Sequence, residues 1–410
     1  MTIDVATDAT NAPDEAAAPT KATFQRRRLI VFLVSAAVIV GAVVAVIVSL
    51  RGEEPPRPTA LPVEAWVPYW ALEDSLPDLA TRVESFRELS PFWFAATGAG
   101  TIAVDQYAPA DLTEQFMSIA RDADVPIVPS ISDEMPAGGM AGVLADPASR
   151  AEHIDALVAF AEAGDYAGLD LDYEQFAFAD DRSTWSSTRP NWVTFITELA
   201  ERLHADGRTL TVSIPPVYDD GQTADSGYWV YDYGAIAPVV DRIRVMAYDY
   251  STATAGPVSP LPWVEQVIAG VTEASDMPEK LVLGIPLYGY NWPVTTLGDC
   301  PPSEEIGRTS VTMRSVDDLV QRRAAVPVFD VPSGEWTFDY DLVIDDGTIA
   351  CTQKRQVWYV DQAGAQTRIK MALDAGFGGV SLWALGYDDG RLWDQIVPLL
   401  TPATATTVAD

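Results

Sequence analysis

From residue 62 to residue 400 the sequence alternates short β-rich runs with amphipathic segments, eight times over. The runs are VEAWVPYW (63–70), LSPFWFAA (89–96), VPIVPSI (125–131), YAGLDLDYE (166–174), TLTVSIP (209–215), RIRVMAYD (242–249), KLVLGIPLYG (280–289) and GGVSLWAL (378–385). Helix signals separate most of them. Asp146 and Pro147 open the segment before the fourth run and Gly164 closes it, and Pro190 and Gly207 bracket the next. Strands that alternate with helices pair in parallel, and eight of them close economically into a (β/α)8 TIM barrel. An open doubly wound sheet is the other closure, but no Gly-rich phosphate loop follows the first run. Residues 290–356 are too long for a simple connection and read as a small insertion between strands 7 and 8.

The flanks are of a different kind. Residues 1–28 are an Ala/Thr/Asp-rich tail that ends in Arg26, Arg27 and Arg28, and residues 29–50 carry no charge. Twenty-two apolar residues suffice for one transmembrane helix. The run is too long for the h-region of a cleaved signal peptide, and the arginines place the N-terminus in the cytoplasm, with all that follows outside. Residues 51–61 read as a Pro-containing linker and 401–410 as a disordered tail.

Charge narrows the function. The net charge is −33, and residues 1–57 carry six acids and six bases, so the whole excess lies in the outer part. Such a surface repels phosphate backbones, which excludes nucleic acid, and it disfavours strongly anionic wall polymers. The two histidines, His153 and His204, fall in helical runs and read as solvated helix faces. Chemistry should then rest on carboxylates, hydroxyls and aromatics, and neither a cofactor nor a metal is expected. Cys300 and Cys351 border the insertion and, in an outward-facing domain, suggest one disulfide. A monomer is expected.

The run Tyr166 to Glu174 concentrates that chemistry. Strand alternation puts Leu169, Leu171 and Tyr173 on one face and Asp170, Asp172 and Glu174 on the other, about 6.6 Å apart along the chain. A solvated edge strand would explain the acids, but its other face is apolar and a barrel has no edges. A divalent cation site would need further carboxylates from other strand ends, such as Asp249. General acid catalysis is the third reading: the inner carboxylates raise the proton affinity of the outermost, Glu174, which stands at the mouth of the barrel.

The motifs decide among these. Ala167-Gly168-Leu169-Asp170-Leu171-Asp172-Tyr173-Glu174 resembles the Asp-x-x-Asp-x-Asp-x-Glu signature of glycoside hydrolase family 18, the chitinase-like family, with Ala167 in place of the first Asp. Met246-Ala247-Tyr248-Asp249 is similar to the family's Met-x-Tyr-Asp, LVLGIPLYGY to its Gly-x-Pro-Phe-Tyr-Gly strand, and GGVSLWALGYDD to its last strand, with Trp383 as the floor tryptophan. The third-strand Ser-x-Gly-Gly is met only at Ser130, because Ser132 and Asp133 replace the glycines. SPFWFAATGAG and WALGYDD look most like the spore-germination and cell-wall branch.

The resemblance implies a retaining, substrate-assisted glycosidase acting on N-acetylglucosamine-containing glycans of chitin or peptidoglycan type. By position, Glu174 is the acid/base, Asp172 orients the 2-acetamido group, Asp170 lies deeper and shares a proton with Asp172, and Tyr248 holds the acetamide oxygen. Asp249, Met246 and Trp383 belong to the sugar site. Two other classes remain open: a catalytically inactive chitinase-like carbohydrate-binding protein, and a metal-dependent hydrolase.

Overall fold

The computed structural model describes residues 59–303 and 306–401. The expected membrane span, most of the linker and the C-terminal tail lie outside the described residues. Among those described, no helix is long and apolar enough to cross a membrane.

Eight parallel strands close into a barrel: β1 (Val63–Pro68), β2 (Phe86–Gly98), β4 (Ser130–Asp133), β5 (Gly168–Asp172), β6 (Thr209–Ile214), β7 (Arg242–Val245), β8 (Leu281–Pro286) and β14 (Gly379–Trp383). They hydrogen-bond in the order β1-β14-β8-β7-β6-β5-β4-β2, and β2 pairs back to β1. β3 (Thr101–Val104) is an antiparallel hairpin partner of β2. Every residue of β1, β5 and β8 is buried, as strands with helices outside and side chains inside require. Several strands differ from the β-rich runs by a few residues. β5 ends at Asp172, so Glu174 stands beyond the strand, as the N-cap of a helical turn, Gln175–Phe178.

Alternation on β5 holds as expected. Leu169, Leu171 and Tyr173 face the outer helices, and the acids face inward. The Tyr173 ring stacks on Phe195 of the helix Trp185–Ala205, and its hydroxyl bonds His153 Nε2 at 2.7 Å. His153 is therefore no solvated residue. It is fully buried on the face that Ile154, Leu157 and Ala161 turn to the barrel, and its other nitrogen meets the Ala99 carbonyl at 2.9 Å. Burial lowers its proton affinity. His204 does lie on an exposed face, beside Asp241.

The insertion runs from β9 (Tyr288–Gly298) through β10 (Thr309–Thr312), β11 (Val328–Asp330) and β12 (Glu335–Asp345) to β13 (Ala350–Tyr359), as an antiparallel sheet in the order β10-β9-β13-β12-β11. It has its own small core, with Phe338, Tyr340, Leu342 and Val357 at the centre. Glu335 anchors it to the barrel: its carboxylate accepts the backbone N–H groups of Val258 and Ser259 at 2.9 and 2.7 Å and pairs with the buried Arg368. Cys300 and Cys351 form the expected disulfide, 51 residues apart in sequence. A loop of that length constrains the unfolded chain by about 4 kcal/mol in the chain-entropy account. Replacing both cysteines by serine should lower stability by up to about that amount, read as a lower urea midpoint. An unchanged midpoint would show that the bond does not stabilise the fold.

Candidate active site

The interior of this barrel is charged where most are apolar. Arg244, wholly buried on β7, sends Nε to Glu64 Oε2 at 2.7 Å, Nη2 to Glu88 Oε1 at 2.8 Å and Nη1 to Asp170 Oδ2 at 2.8 Å. Arg242 lies 3.2 Å from Glu64 and 3.1 Å from Glu88, and Arg87 closes on Glu64 from outside. Three guanidinium groups thus balance three carboxylates. Burial alone would raise Glu64, but Arg87, Arg244 and Arg242 outweigh it and hold that carboxyl at about 2. Glu88 moves the other way, pushed up by burial and by Glu64. Asp170 also accepts from Ser130 Oγ, from Ser213 Oγ at 2.7 Å and from Trp66 Nε1 at 3.2 Å. With Arg244 that makes four donors on two oxygens, the surroundings of a fixed acceptor.

Above this balanced layer Asp172 and Glu174 make no ion pair among the described residues, and Arg244 acts on Asp172 only from a distance. Asp172 is buried, and its Oδ1 has no hydrogen-bond partner among the described residues. Burial raises its proton affinity well above the ordinary range, and Glu174, Asp170 and Asp133 add to the effect. Glu174 is half-buried at the mouth and is pushed up to about 7, by burial first and then by Asp133 and Asp249. A carboxyl at the mouth that is pushed up to about 7 suits general acid chemistry.

Glu174 opens onto a cleft of about 520 Å³ that Tyr228, Met246, Tyr248, Asp249 and Trp263 also line. The expected Glu174, Met246, Tyr248 and Asp249 therefore meet in one place. Trp383 joins them by stacking on Tyr248, ring centroids 6.3 Å apart, and its other neighbours are Trp66, Trp70 and Phe92. Tyr248 needs Gly284 beside it, since a Cβ there would lie 2.9 Å from the tyrosine ring and 2.9 Å from the Val245 carbonyl. Asp249 adopts a left-handed backbone, φ 60°, a conformation Asp tolerates better than most residues. Its Oδ1 accepts the hydroxyls of Tyr288 and of Tyr290, the latter at 2.8 Å. Among the described residues no three His, Cys, Asp or Glu side chains converge as a cation site would require.

Residues 83–388 match the family Glycosyl hydrolases family 18. The chain belongs to that family. It is a glycoside hydrolase by membership, and its motifs lie on the barrel strands where the family pattern puts them. It is 27% identical over 259 residues to "Uncharacterized glycosylase YvbX" of Bacillus subtilis (strain 168), covering 62% of this chain and 67% of that one. It is 23% identical over 262 residues to the "Cortical fragment-lytic enzyme" of Bacillus anthracis, covering 63% and 55%. The chain thus spans from two thirds down to about half the length of these curated relatives. The barrel of a chitinase from Chromobacterium violaceum superposes with a TM-score of 0.67 at 22% identity, over 85% of this chain and all of that one. The spore cortex-lytic enzyme SleL of Bacillus megaterium gives 0.67 at 18% identity, over 85% of this chain and 76% of that one.

Ala167, the departure from the family 18 signature, is exposed at the start of β5, at the opposite end of the barrel from Glu174. Several residues of the site carry no motif. Asp133, at the end of β4, accepts the backbone N–H groups of Glu174 and Gln175 at 2.8 and 3.1 Å. Glu64 stands between Val63 and Ala65 and Arg244 between Ile243 and Val245, and a charge between apolar neighbours is the one sequence signal they give. Removing only the cation tests the layer. Arg244→Leu should leave buried carboxylates uncompensated and destabilise the protein by about 3–5 kcal/mol in urea unfolding. A change below about 1 kcal/mol would mean that the three acids do not depend on it.

Proposed function

We propose that the protein cleaves β-linked N-acetylglucosamine-containing glycans, of chitin or peptidoglycan type, with net retention and with the substrate's own acetamide as nucleophile. One observation carries this reading: Glu174 keeps a proton up to about pH 7 at the cleft, while the other carboxylate on the cleft wall, Asp249, is taken up by Tyr288 and Tyr290. Glycosidases commonly use two opposed carboxylates, and family 18 is a recognised exception in which the sugar supplies the nucleophile.

In this mechanism Glu174 gives its proton to the leaving oxygen as the acetamide oxygen closes on the anomeric carbon, and it then takes a proton from the attacking water. Asp172 receives the acetamide N–H at the oxygen that lacks a partner among the described residues. Tyr248 steadies the acetamide oxygen, and Trp383 gives the pyranose an apolar face to lie on. A family 18 chitinase from Cycas revoluta with this fold, TM-score 0.63, has been seen in complex with (GlcNAc)4, which supports a ligand of this class. The uncharged run at residues 29–50 supports a single-pass anchor with the barrel outside the cell. Under that topology, protease added to intact cells removes the barrel and leaves a short membrane-bound stub, and a barrel shielded in intact cells would contradict it.

The acid is loaded below about pH 7, so turnover should fall as pH rises through that value. Glu174→Gln should cost about 10²–10⁴ in kcat on N-acetylglucosamine oligomers and leave their binding intact. Oligomers with free amines at the cleavage site should be inert, and a thiazoline mimic of the cyclic intermediate should inhibit. Near-normal turnover by the Gln variant, or cleavage of the deacetylated oligomer, would overturn the mechanism.

A further inference from the structure

We infer that Asp133 is a positioning residue for Glu174: it fixes the backbone that carries the general acid and places a buried negative charge beside it. The inference rests on the assignment of Glu174 as the acid. Asp133 is 4% exposed and stands where the family pattern has the second glycine of Ser-x-Gly-Gly. A glycine has no side-chain acceptor to offer there.

Geometry comes first. Glu174 leaves β5 and turns at once into the helical segment Gln175–Phe178. The first N–H groups of a helix have no partner within it, and this helix is a single turn. Asp133 Oδ1 takes two of them, the N–H groups of Glu174 and Gln175, from the neighbouring strand. That clamp sets the direction in which the Glu174 side chain leaves the backbone. A displacement of about 1 Å at a catalytic group can cost 10²-fold.

Charge comes second. The titratable groups that face Glu174 are Asp133 from β4, Asp172 from β5 and Asp249 from the turn after β7, with the Tyr228, Tyr231 and Tyr248 hydroxyls. Asp133 also faces Asp180. Asp133 is the largest charged contributor to the raised proton affinity of Glu174. Burial pushes Asp133 itself up to about 6 against the pull of its two N–H bonds. Its second oxygen is buried without a partner among the described residues, so nothing neutralises it from that side.

Two variants of the full-length chain separate geometry from charge, assayed on an N-acetylglucosamine oligomer. Asp133→Gly removes the clamp and should lower kcat about tenfold or more with little change in KM. Asp133→Asn keeps a carbonyl oxygen for both N–H groups and should restore most of that loss. It removes the charge, however, and should move the alkaline limb of the pH–kcat/KM profile down by about one unit, a shift one neighbouring charge can supply. A structural role alone would not move that limb. An alkaline limb unmoved in Asp133→Asn, in a protein where Glu174→Gln is inactive, overturns the inference and leaves Glu174 as the acid. An active Glu174→Gln protein overturns both. Should the Gly variant fail to fold, the profile of the Asn variant decides alone.

Discussion

Arg244 determines which of the barrel's acids carry charge. It is fully buried and touches Glu64, Glu88 and Asp170 at once, on three different strands. Such a group would be ruinous alone, and so would its partners, because an uncompensated charge in the interior costs several kcal/mol. Together with Arg87 and Arg242 they form a charge-balanced floor. The floor takes up the available cations, so the acids above it, Asp172, Glu174 and Asp133, are left to burial and mutual repulsion. All three are pushed towards their protonated forms, which is the state a general acid needs.

The rest of the fold holds that arrangement in register. The insertion is not a distant appendage of the chemistry, because its first strand supplies Tyr288 and Tyr290 to Asp249, and Glu335 on β12 ties down the backbone at Val258 and Ser259. Outside the barrel, His153 and Phe195 lock the Tyr173 ring between Asp172 and Glu174 in sequence. The two neighbours of Tyr173 are thereby turned inward, and the covering helices contribute to the site without touching it.

Much of this was legible in the chain because it follows from periodicity. Eight alternations name a barrel, period two on β5 names the inward acids, and two cysteines at the edges of one insertion pair with each other. What escaped depends on contacts between distant segments. Asp133 acts on the N–H groups of Glu174 and Gln175, just beyond the next strand, and its departure from the Ser-x-Gly-Gly pattern does not point there. The Arg244 floor joins residues up to 180 positions apart. His153 was misread as solvated because its run is apolar at several spacings and does not say which face turns inward. Asp170 follows the family pattern in sequence, but the four donors that surround it, Arg244 among them, come from distant segments and could not be read there.

The claim on which the account turns is that Glu174 holds its proton far above the ordinary range of a glutamate. A carbon-13 titration of the side-chain carboxyls, assigned by the signal that disappears in Glu174→Gln, measures it without reference to any substrate. The account predicts a midpoint for Glu174 near pH 7. A midpoint near 4.5, the unperturbed value, would contradict it.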